Sequence, residues 1–439
     1  MRFLILCLFL LPTIVFAQST SDGFHFHGRY LIAVSDADMV PSAYEDGKLG
    51  PRQGNDAVSV IPLLPASGKT SGGFRAHSIE VTNSVAGPPS VIASTSDGRW
   101  AFIIETFSPR PGLSDGETFA DFKLGTTLTV LDLAAPTKPK LHQQLTILPR
   151  PLSVSVSPDD KTVAVSYHPG TEGNERPVSL HPFTGGQLGE ATFPMLPGWS
   201  PTDELSDVEW HPSRPVLAAV NKTADQVHFY EYTGNGMRAW GNVVKVGKYP
   251  FIGRFTADGN HFLTNCLYWG SDVNGTWSSA PRGSINNIKL AAFVREGAPV
   301  HSLTAQLSVG ASPEGFAVSP NGRYVATINM ERSWLLPDDA RKTWFSTISL
   351  LEREPESGSM EILTITPYYG MLPEMAVFDA SGQNLAVVCS DQFNDRIPGS
   401  ALDFFRIVRD PLNQKCTFLV QTRRSVALRH GAHDLILVE

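Results

Sequence analysis

One short pattern, complete between residues 313 and 329, constrains the fold of this chain more than any other feature. Phe316 and Val318 alternate with smaller residues, and the pair Asn321-Gly322 separates them from a second alternating run. Alternation with a period of two predicts a β-strand, and an Asn-Gly pair between two such runs predicts a tight reversal of the chain. The stretch is therefore predicted to form a β-hairpin.

The same pattern recurs at intervals of roughly 45 to 63 residues, and a supersecondary unit that repeats with such a period is typical of propellers and solenoids. Six complete hairpins align on turns at residues 96–98, 157–160, 211–212, 257–259, 319–322 and 381–382. A seventh is split, because residues 28–34 match only its second half and residues 432–439 match only its first half. We therefore expect the last strand to pair with the first strands and close a ring, which removes free sheet edges.

Two further strand candidates follow each hairpin, for example residues 347–351 and 360–366. The unit therefore contains four strands. The predicted fold is all-β: a seven-bladed β-propeller of four-stranded antiparallel blades, with little or no helix, in one domain that spans residues 28–439.

The first residues have the features of a secretory signal peptide. Arg2 precedes an apolar run, and the small residues Val15 and Ala17 lie before the expected cleavage point. The run is shorter than the roughly 20 residues of a membrane-spanning helix, and no comparable run follows. We interpret residues 1–17 as a signal peptide and 18–27 as an N-terminal extension, and predict a secreted or periplasmic protein without a membrane span.

Composition excludes several classes of function. The formal net charge is −8, and no basic stripe is present to neutralise phosphates, so nucleic acid is not expected as a partner. The cysteines beyond the signal peptide, Cys266, Cys389 and Cys416, are too widely spaced for a disulfide framework, and no C-x-x-C motif suggests zinc or haem. No serine-hydrolase, zincin or P-loop motif occurs.

Connections between the second and third strands of several units are long, at residues 35–56, 106–126, 268–286 and 330–345. In a propeller these connections emerge on one face, and long loops in a compact fold are commonly functional. We therefore expect a binding or catalytic site on this face, although loops that only cap the ring are the alternative.

Residues 217–232, which read LAAVNKTADQVHFYEY, resemble a blade of the YVTN-type propellers. The turn at residues 319–322 and the strand at 324–329 resemble the S-P-D-G and Y-V-T-N signatures of the same group, which includes the lactonase-like seven-bladed propellers. The resemblance covers residues 28–439. It implies lactone chemistry carried by Arg, Glu and His near the axis of the loop-rich face, without an organic cofactor. Relatives often begin their innermost strands with Pro-His, whereas here only the closing blade supplies a histidine, His433.

The residues aligned at the start of each innermost strand are predicted to surround the mouth of the central channel, and they are Ser90, Leu152, Ser206, Phe251, Glu314, Glu374 and His433. We interpret Glu314, Glu374 and His433 as catalytic candidates. Glu105 and Asn329, at the ends of second strands, are the supporting candidates.

Two carboxylates at one channel mouth repel each other, so one keeps its proton to higher pH and the pair supplies an acid and a base. The same cluster could instead bind a divalent cation through two carboxylates and an imidazole, or could line a water-filled channel. These three interpretations stay open at this point.

An anionic substrate would need cationic groups near the same mouth. Arg110, Arg150 and Arg332 lie in loops expected to reach this face, and the fork of a guanidinium suits a carboxylate. Each of them alone could also be an ordinary surface charge. With Asn329 they form the predicted substrate-binding set.

The leading hypothesis is an exported, monomeric and cofactor-free lactone hydrolase or isomerase that acts on a small molecule. The alternative is a non-catalytic propeller that binds a protein, glycan or surface component through its loop-rich face, because one fold hosts many functions.

Overall fold

A computed structural model describes residues 24–63, 74–112, 116–170, 176–270, 279–292, 298–393, 399–413 and 416–439. Its strands form seven antiparallel sheets, which confirms the predicted seven-bladed propeller with four-stranded blades. The predicted signal peptide and the first part of the N-terminal extension lie outside the described residues.

The strands follow one another blade by blade. Blades 1 to 3 contain β1 (Tyr30–Ser35), β2 (Ala57–Pro62), β3 (His77–Glu80), β4 (Ile92–Ser94), β5 (Trp100–Ile104), β6 (Thr127–Asp132), β7 (Lys140–Thr146), β8 (Pro151–Val156), β9 (Thr162–Tyr167), β10 (Val178–Thr184) and β11 (Gln187–Leu188). Blades 4 and 5 contain β12 (Leu205–Trp210), β13 (Val216–Asn221), β14 (Gln226–Tyr232), β15 (Met237–Ala239), β16 (Val244–Lys245), β17 (Pro250–Phe255), β18 (His261–Cys266), β19 (Arg282–Lys289) and β20 (Ser302–Ala311). Blades 6 and 7 contain β21 (Pro313–Val318), β22 (Tyr324–Asn329), β23 (Ser346–Arg353), β24 (Met360–Tyr368), β25 (Gly370–Phe378), β26 (Asn384–Gln392), β27 (Ser400–Arg409) and β28 (Thr417–Leu428).

Helix is nearly absent from the described residues, as the sequence predicts. One α-helix, α1 (Ala43–Asp46), and one 3₁₀-helix (Phe119–Asp121) lie in loops. Neither is long and apolar enough to cross a membrane, and the search for such helices covers the described residues.

The last strand, β29 (Ala432–Val438), closes the ring. It pairs antiparallel with β1, so that Tyr30 lies opposite Val438, and it becomes the innermost strand of blade 1. The predicted pairing of the C-terminal strand with the N-terminal strands is therefore confirmed.

The hydrophobic core lies between the blades. In β1, Ile32 and Val34 pack in an apolar cluster with blades 2 and 3, whereas Leu31 and Ala33 pack in a cluster with blades 5 to 7. Alternate side chains of a strand point to opposite faces of the sheet, and each face is covered by a neighbouring blade. This double coverage explains why a strand such as β1 is apolar and buried almost throughout.

The recurring turn sequence has a local cause. The Ser319 hydroxyl accepts a hydrogen bond of 2.8 Å from the backbone N–H of Tyr324, which closes the turn. Gly322 has a φ of 67°, a conformation that favours glycine. In blade 3 Asp160 adopts a φ of 58° at the corresponding turn, because Asp tolerates this region better than most residues.

The long connections between second and third strands are also present, at residues 36–56, 105–126, 267–281 and 330–345, apart from positions outside the described ranges. They pack on one another: Met39 and Leu49 cluster with Val85, and Trp334 and Leu335 form a second cluster. Tyr44 contacts both clusters. The loops therefore form one layer over the channel mouth.

Candidate functional site

A cavity lies between the loop layer and the starts of the innermost strands. The space in it that can hold the centres of water-sized molecules is about 130 Å³, and its whole empty volume, which includes open solvent, is about 590 Å³. Leu152, Phe251 and Glu314, the second residues of β8, β17 and β21, form part of its wall. The sequence alignment of innermost strands thus predicts three of its residues.

Aromatic rings form two parts of the cavity wall. Tyr249 and Trp269 lie with ring centroids 5.6 Å apart, next to Phe251. Tyr44 and Trp334, from two different loops, meet edge to face with centroids 6.4 Å apart. Such surfaces remove the apolar face of a small ring-shaped ligand from water.

Cationic groups lie on the side of the cavity formed by blades 3 and 4. Arg150 immediately precedes β8, and Lys222 immediately follows β13. Lys222 forms an ion pair with Glu204, and His168 Nε2 lies 3.5 Å from a Glu204 carboxylate oxygen. Lys222 Nζ also lies 5.1 Å from the centroid of the Tyr249 ring.

Arg150 is held in an unusual way for a guanidinium. Its Nε is buried and makes no hydrogen bond to the described residues, and its Cζ lies 5.4 Å from the Phe107 ring centroid. Burial lowers the pKa of Arg150, although the nearby Glu204 carboxylate opposes this effect. Arg150 and Lys222 are two cations, and Glu204 is the carboxylate among the described residues that interacts with both of them on this side of the cavity. This side can therefore bind a negatively charged group of a ligand.

Glu314 lies in the cavity wall and is 6 % exposed. Burial raises the pKa of Glu314 to about 8, because the charged carboxylate loses its hydration. A carboxyl group with a pKa near the working pH can both accept and donate a proton.

Glu374 lies beside Glu314 but deeper in the protein. It is fully buried, and neither of its carboxyl oxygens has a hydrogen-bond partner among the described residues. Burial raises the pKa of Glu374 well above the ordinary value, and the charges of Glu314 and Asp36 raise it further. Glu374 therefore keeps its proton when Glu314 ionises.

His433 and Glu105 are buried away from the cavity wall. His433 Nε2 lies 2.8 Å from the Asn83 amide oxygen, and burial lowers the pKa of His433 to about 3. One Glu105 carboxylate oxygen accepts hydrogen bonds from the Thr127 hydroxyl at 2.7 Å and the Thr126 N–H at 3.3 Å. His433 is thus neutral at physiological pH, and Glu105 anchors the loop that leads into β6.

The remaining predicted substrate-binding residues have protein partners elsewhere. The Asn329 amide donates to Thr347 and Ser349 hydroxyls within blade 6, each at 3.0 Å. Arg110 pairs with Glu117 and donates to the Asp38 carbonyl inside the loop layer.

Arg332 donates to the Ala280 carbonyl at 3.1 Å. Of the four predicted substrate-binding residues, Arg150 alone is brought into the cavity wall.

Sequence reasoning overlooked Glu204, Lys222, Tyr44 and Tyr249. A usable signal existed for three of them: Glu204 and Tyr249 immediately precede innermost strands, and Lys222 immediately follows a second strand. Residues that flank a strand by one position therefore line this cavity, as residues inside the strands also do. Tyr44 has no such signal, because its position depends on how the 36–56 loop folds back.

No protein-family model matches the chain, and no curated protein matches it. Solved structures with the same fold include the periplasmic gluconolactonase PpgL of Pseudomonas aeruginosa, at 17% identity and a TM-score of 0.58 over 93% of this chain and 99% of that one. A proposed 6-phosphogluconolactonase from Bacteroides uniformis matches at 13% identity and a TM-score of 0.57, over 93% of this chain and 100% of that one. A protein of unknown function from Desulfotomaculum acetoxidans matches at 12% identity and a TM-score of 0.56, over 94% and 99%. Similarity at these identities shows the propeller fold, which this chain shares with structures named as lactonases.

Proposed function

We propose that this protein is a cofactor-free hydrolase of a small lactone that carries an anionic group. The observation that carries the proposal is a cavity lined both by Glu314, a carboxyl group with a pKa of about 8, and by the cations Arg150 and Lys222. Aromatic rings also line the cavity. The names of the structures that share the fold support lactone chemistry, and residues 1–17 support export to the periplasm or beyond.

The proposed reaction uses one carboxyl group twice. Ionised Glu314 accepts a proton from a water molecule, whose oxygen bonds to the lactone carbonyl carbon. The bond between that carbon and the ring oxygen then breaks, and Glu314 returns the proton to the departing ring oxygen. Water and lactone are thereby converted into a hydroxy acid, and Glu314 is regenerated as a carboxylate.

Glu374 has a supporting part in this proposal. It does not line the cavity, and it remains neutral beside the ionised Glu314. We therefore assign the proton transfers to Glu314 alone, and Glu374 contributes only by staying neutral. Its neutral form adds no second charge next to Glu314.

The test is a hydrolysis screen of sugar, aromatic and aliphatic lactones, with neutral and anionic members of each class, using the purified mature protein. Glu314→Gln is expected to lower kcat/KM by about 100- to 10,000-fold, the usual contribution of a general acid–base group. The wild-type kcat/KM is expected to rise with pH through about 8 as Glu314 ionises.

Glu374→Gln is the matched control, since glutamine copies the shape of a neutral carboxyl group. Activity is expected to stay within about threefold of the wild type, less than 1 kcal/mol in the barrier. Loss of activity in Glu374→Gln with retained folding would instead restore the carboxylate pair as the catalytic unit. A folded protein that hydrolyses none of the lactones would contradict the proposal.

A non-catalytic binding role has its own supporting observation. Trp344 is 56% exposed and Tyr369 is 71% exposed, and Trp344 lies 5.9 Å from Phe393 between ring centroids. Exposed aromatic side chains are common in binding surfaces. Trp334, in contrast, is buried in the loop layer. Partner binding that is lost in Trp344→Ala and retained in Glu314→Gln would favour this second function.

A further inference from the structure

The loop between β1 and β2, residues 36–56, forms a lid over one side of the cavity. Its helix α1 carries Tyr44, which lines the cavity and contacts Trp334 of blade 6. The Tyr44 hydroxyl donates to the Val85 carbonyl at 2.9 Å. Glu45 forms an ion pair of 3.0 Å with Arg341. The lid therefore spans from blade 1 to blade 6, and its displacement would open the cavity wall.

Both ends of the lid meet in a cluster of three buried aspartates, Asp36, Asp38 and Asp56. Each of the three offers a carboxylate oxygen, and these oxygens lie within 4.8 Å of one another. The side chains are 2 %, 2 % and 5 % exposed. Three carboxylates at this separation and burial cannot all carry a charge without strong mutual repulsion.

The same carboxyl groups hold the ends of the lid together. Asp56 accepts a hydrogen bond of 3.1 Å from the Ala37 N–H, which joins the last residue of the lid to its second. Asp36 accepts from the N–H groups of Asp38 and Val85, each at 2.9 Å. A repulsion that separates these carboxyl groups therefore acts directly on the closed geometry of the lid.

Among the described residues, an arginine side chain forms an ion pair with only one member of the cluster, Asp38. Arg52 Nε lies 3.4 Å from one Asp38 carboxylate oxygen, and the backbone N–H of Arg110 donates a hydrogen bond of 2.7 Å to the other. Asp36 and Asp56 form no ion pair among the described residues.

The other charged groups around the cluster do not correct this imbalance. Glu117 faces Asp38, and Glu374 faces Asp36 from blade 7. Arg429 donates to the Asn55 carbonyl but pairs with the exposed Glu80. The cluster as a whole keeps an excess of acidic groups.

We propose that protonation of the Asp36, Asp38 and Asp56 cluster holds the 36–56 lid closed, and that its ionisation at higher pH releases the lid from the cavity. The proposal concerns access to the cavity and does not depend on the reaction that takes place there. According to this proposal, the pH controls whether the 36–56 lid covers the cavity.

The direction of the pH effect follows from the burial of the cluster. Burial and the neighbouring acids raise the pKa of Asp36 to about 7 and that of Asp56 to about 9 in the closed lid. An open, hydrated lid would return both groups towards the ordinary value of 3.8. The closed lid thus binds protons more tightly, so it is most favoured below about pH 4 and loses this advantage as the pH rises towards 9.

The test is hydrogen exchange of the lid amides in the full chain at pH values from 5 to 9, corrected for the intrinsic exchange rate. The protection of residues 37–55 is expected to fall by about tenfold or more between pH 5 and pH 8, because each group can contribute up to about tenfold per pH unit. Amides of β13 in blade 4 serve as the internal reference. Constant lid protection in the wild type would overturn the proposal.

Asp56→Asn supplies the second arm, since its amide oxygen can still accept from the Ala37 N–H while its charge is absent. This variant is expected to keep the lid protected at pH 8 and to weaken the pH dependence by at least about tenfold. Asp159→Asn, at a carboxylate that is 60% exposed in a blade 3 turn, is the matched control and should behave as the wild type. An unchanged pH dependence in Asp56→Asn would overturn the proposal. The proposal would also be overturned if about 1 mM calcium abolished the pH dependence of the wild type, because the cluster would then be a cation site.

Discussion

At the scale of single side chains, Arg150 is the cavity residue for which the structure gives the most specific expectation about ligand binding. Its Nε is buried and has no hydrogen-bond partner among the described residues, a state that normally destabilises a protein. A ligand carboxylate or phosphate would supply the missing acceptor. The residue is therefore better prepared for a bound ligand than for an empty cavity.

We expect Arg150→Gln to raise KM for an anionic lactone by about 10- to 100-fold, the usual value of a hydrogen bond to a charged group, with a smaller change in kcat. Steady-state kinetics on an anionic lactone and its neutral analogue measure the effect. Arg238→Gln, at a guanidinium that is 70% exposed beside Glu231, is the control. A fall in kcat at unchanged KM, or an equal effect on the neutral analogue, would argue against ligand recognition by Arg150.

At the scale of strands, the position of Glu314 depends on how closely β21 approaches β25. Gly315 follows Glu314 at a register shift in β21, and a Cβ atom placed there would lie 1.8 Å from the Glu374 carbonyl oxygen. Only glycine allows the two innermost strands to pass at this distance. The sequence presents Gly315 as an ordinary strand residue, since contact between neighbouring blades leaves no local pattern.

Gly315→Ala is expected to lower the free energy of unfolding by about 1 to 3 kcal/mol, as overpacking in a close contact usually does. It should also lower activity, because the backbone shift moves Glu314. Urea unfolding measures the first effect. Gly236→Ala, where no atom lies within 4 Å of the new Cβ, is the control and should change stability by less than about 1 kcal/mol. Equal stability of the two variants would contradict this account of the strand contact.

The sequence predicts the whole-molecule architecture well and the site only in part. Hairpin turns such as the one that ends at Gly322 are set by residues close in sequence, so their repetition predicts the blades and the ring. The cavity depends instead on loops that fold over one another. Asn329 illustrates the difference. Its position at the end of a strand is predictable from the sequence. Whether its side chain faces the cavity or binds Thr347 within blade 6 depends on the direction of that side chain, which the sequence does not show.

Ring closure gives a prediction for the whole fold. Deletion of residues 432–439 removes β29, the innermost strand of blade 1, and exposes the edge of β1. We expect the truncated protein to unfold or aggregate, because an exposed strand edge pairs with other chains. Circular dichroism and size-exclusion chromatography measure this outcome, with deletion of Glu439 alone as the control. A truncated protein that stays monomeric and unfolds cooperatively would show that closure by β29 is dispensable.

The buried ionisable groups give the protein an expected stability maximum between about pH 6 and 7. Burial lowers the pKa of His433 to about 3 and those of His181 and His211 to about 4. These histidines fold in the neutral form, so their contribution is complete above the unfolded value of 6.5 and is lost as the pH falls towards 4. The acids act in the opposite direction: Glu314 and Asp56, with pKa values of about 8 and 9, fold in the protonated form and lose stability as the pH rises from about 4.

The two effects oppose each other below pH 6.5, whereas above pH 7 the acids act alone. We therefore expect the free energy of unfolding to fall between pH 7 and 9, where ordinary surface carboxylates no longer titrate. Urea unfolding at intervals of about half a pH unit measures the free energy of unfolding as a function of pH. The double variant Glu314→Gln/Asp56→Asn should reduce the fall of this free energy above pH 7. A free energy of unfolding that stays constant from pH 7 to 9 would mean that these carboxyl groups are already ionised in the folded protein, and the lid and the Glu314 base would then both need a different electrostatic explanation.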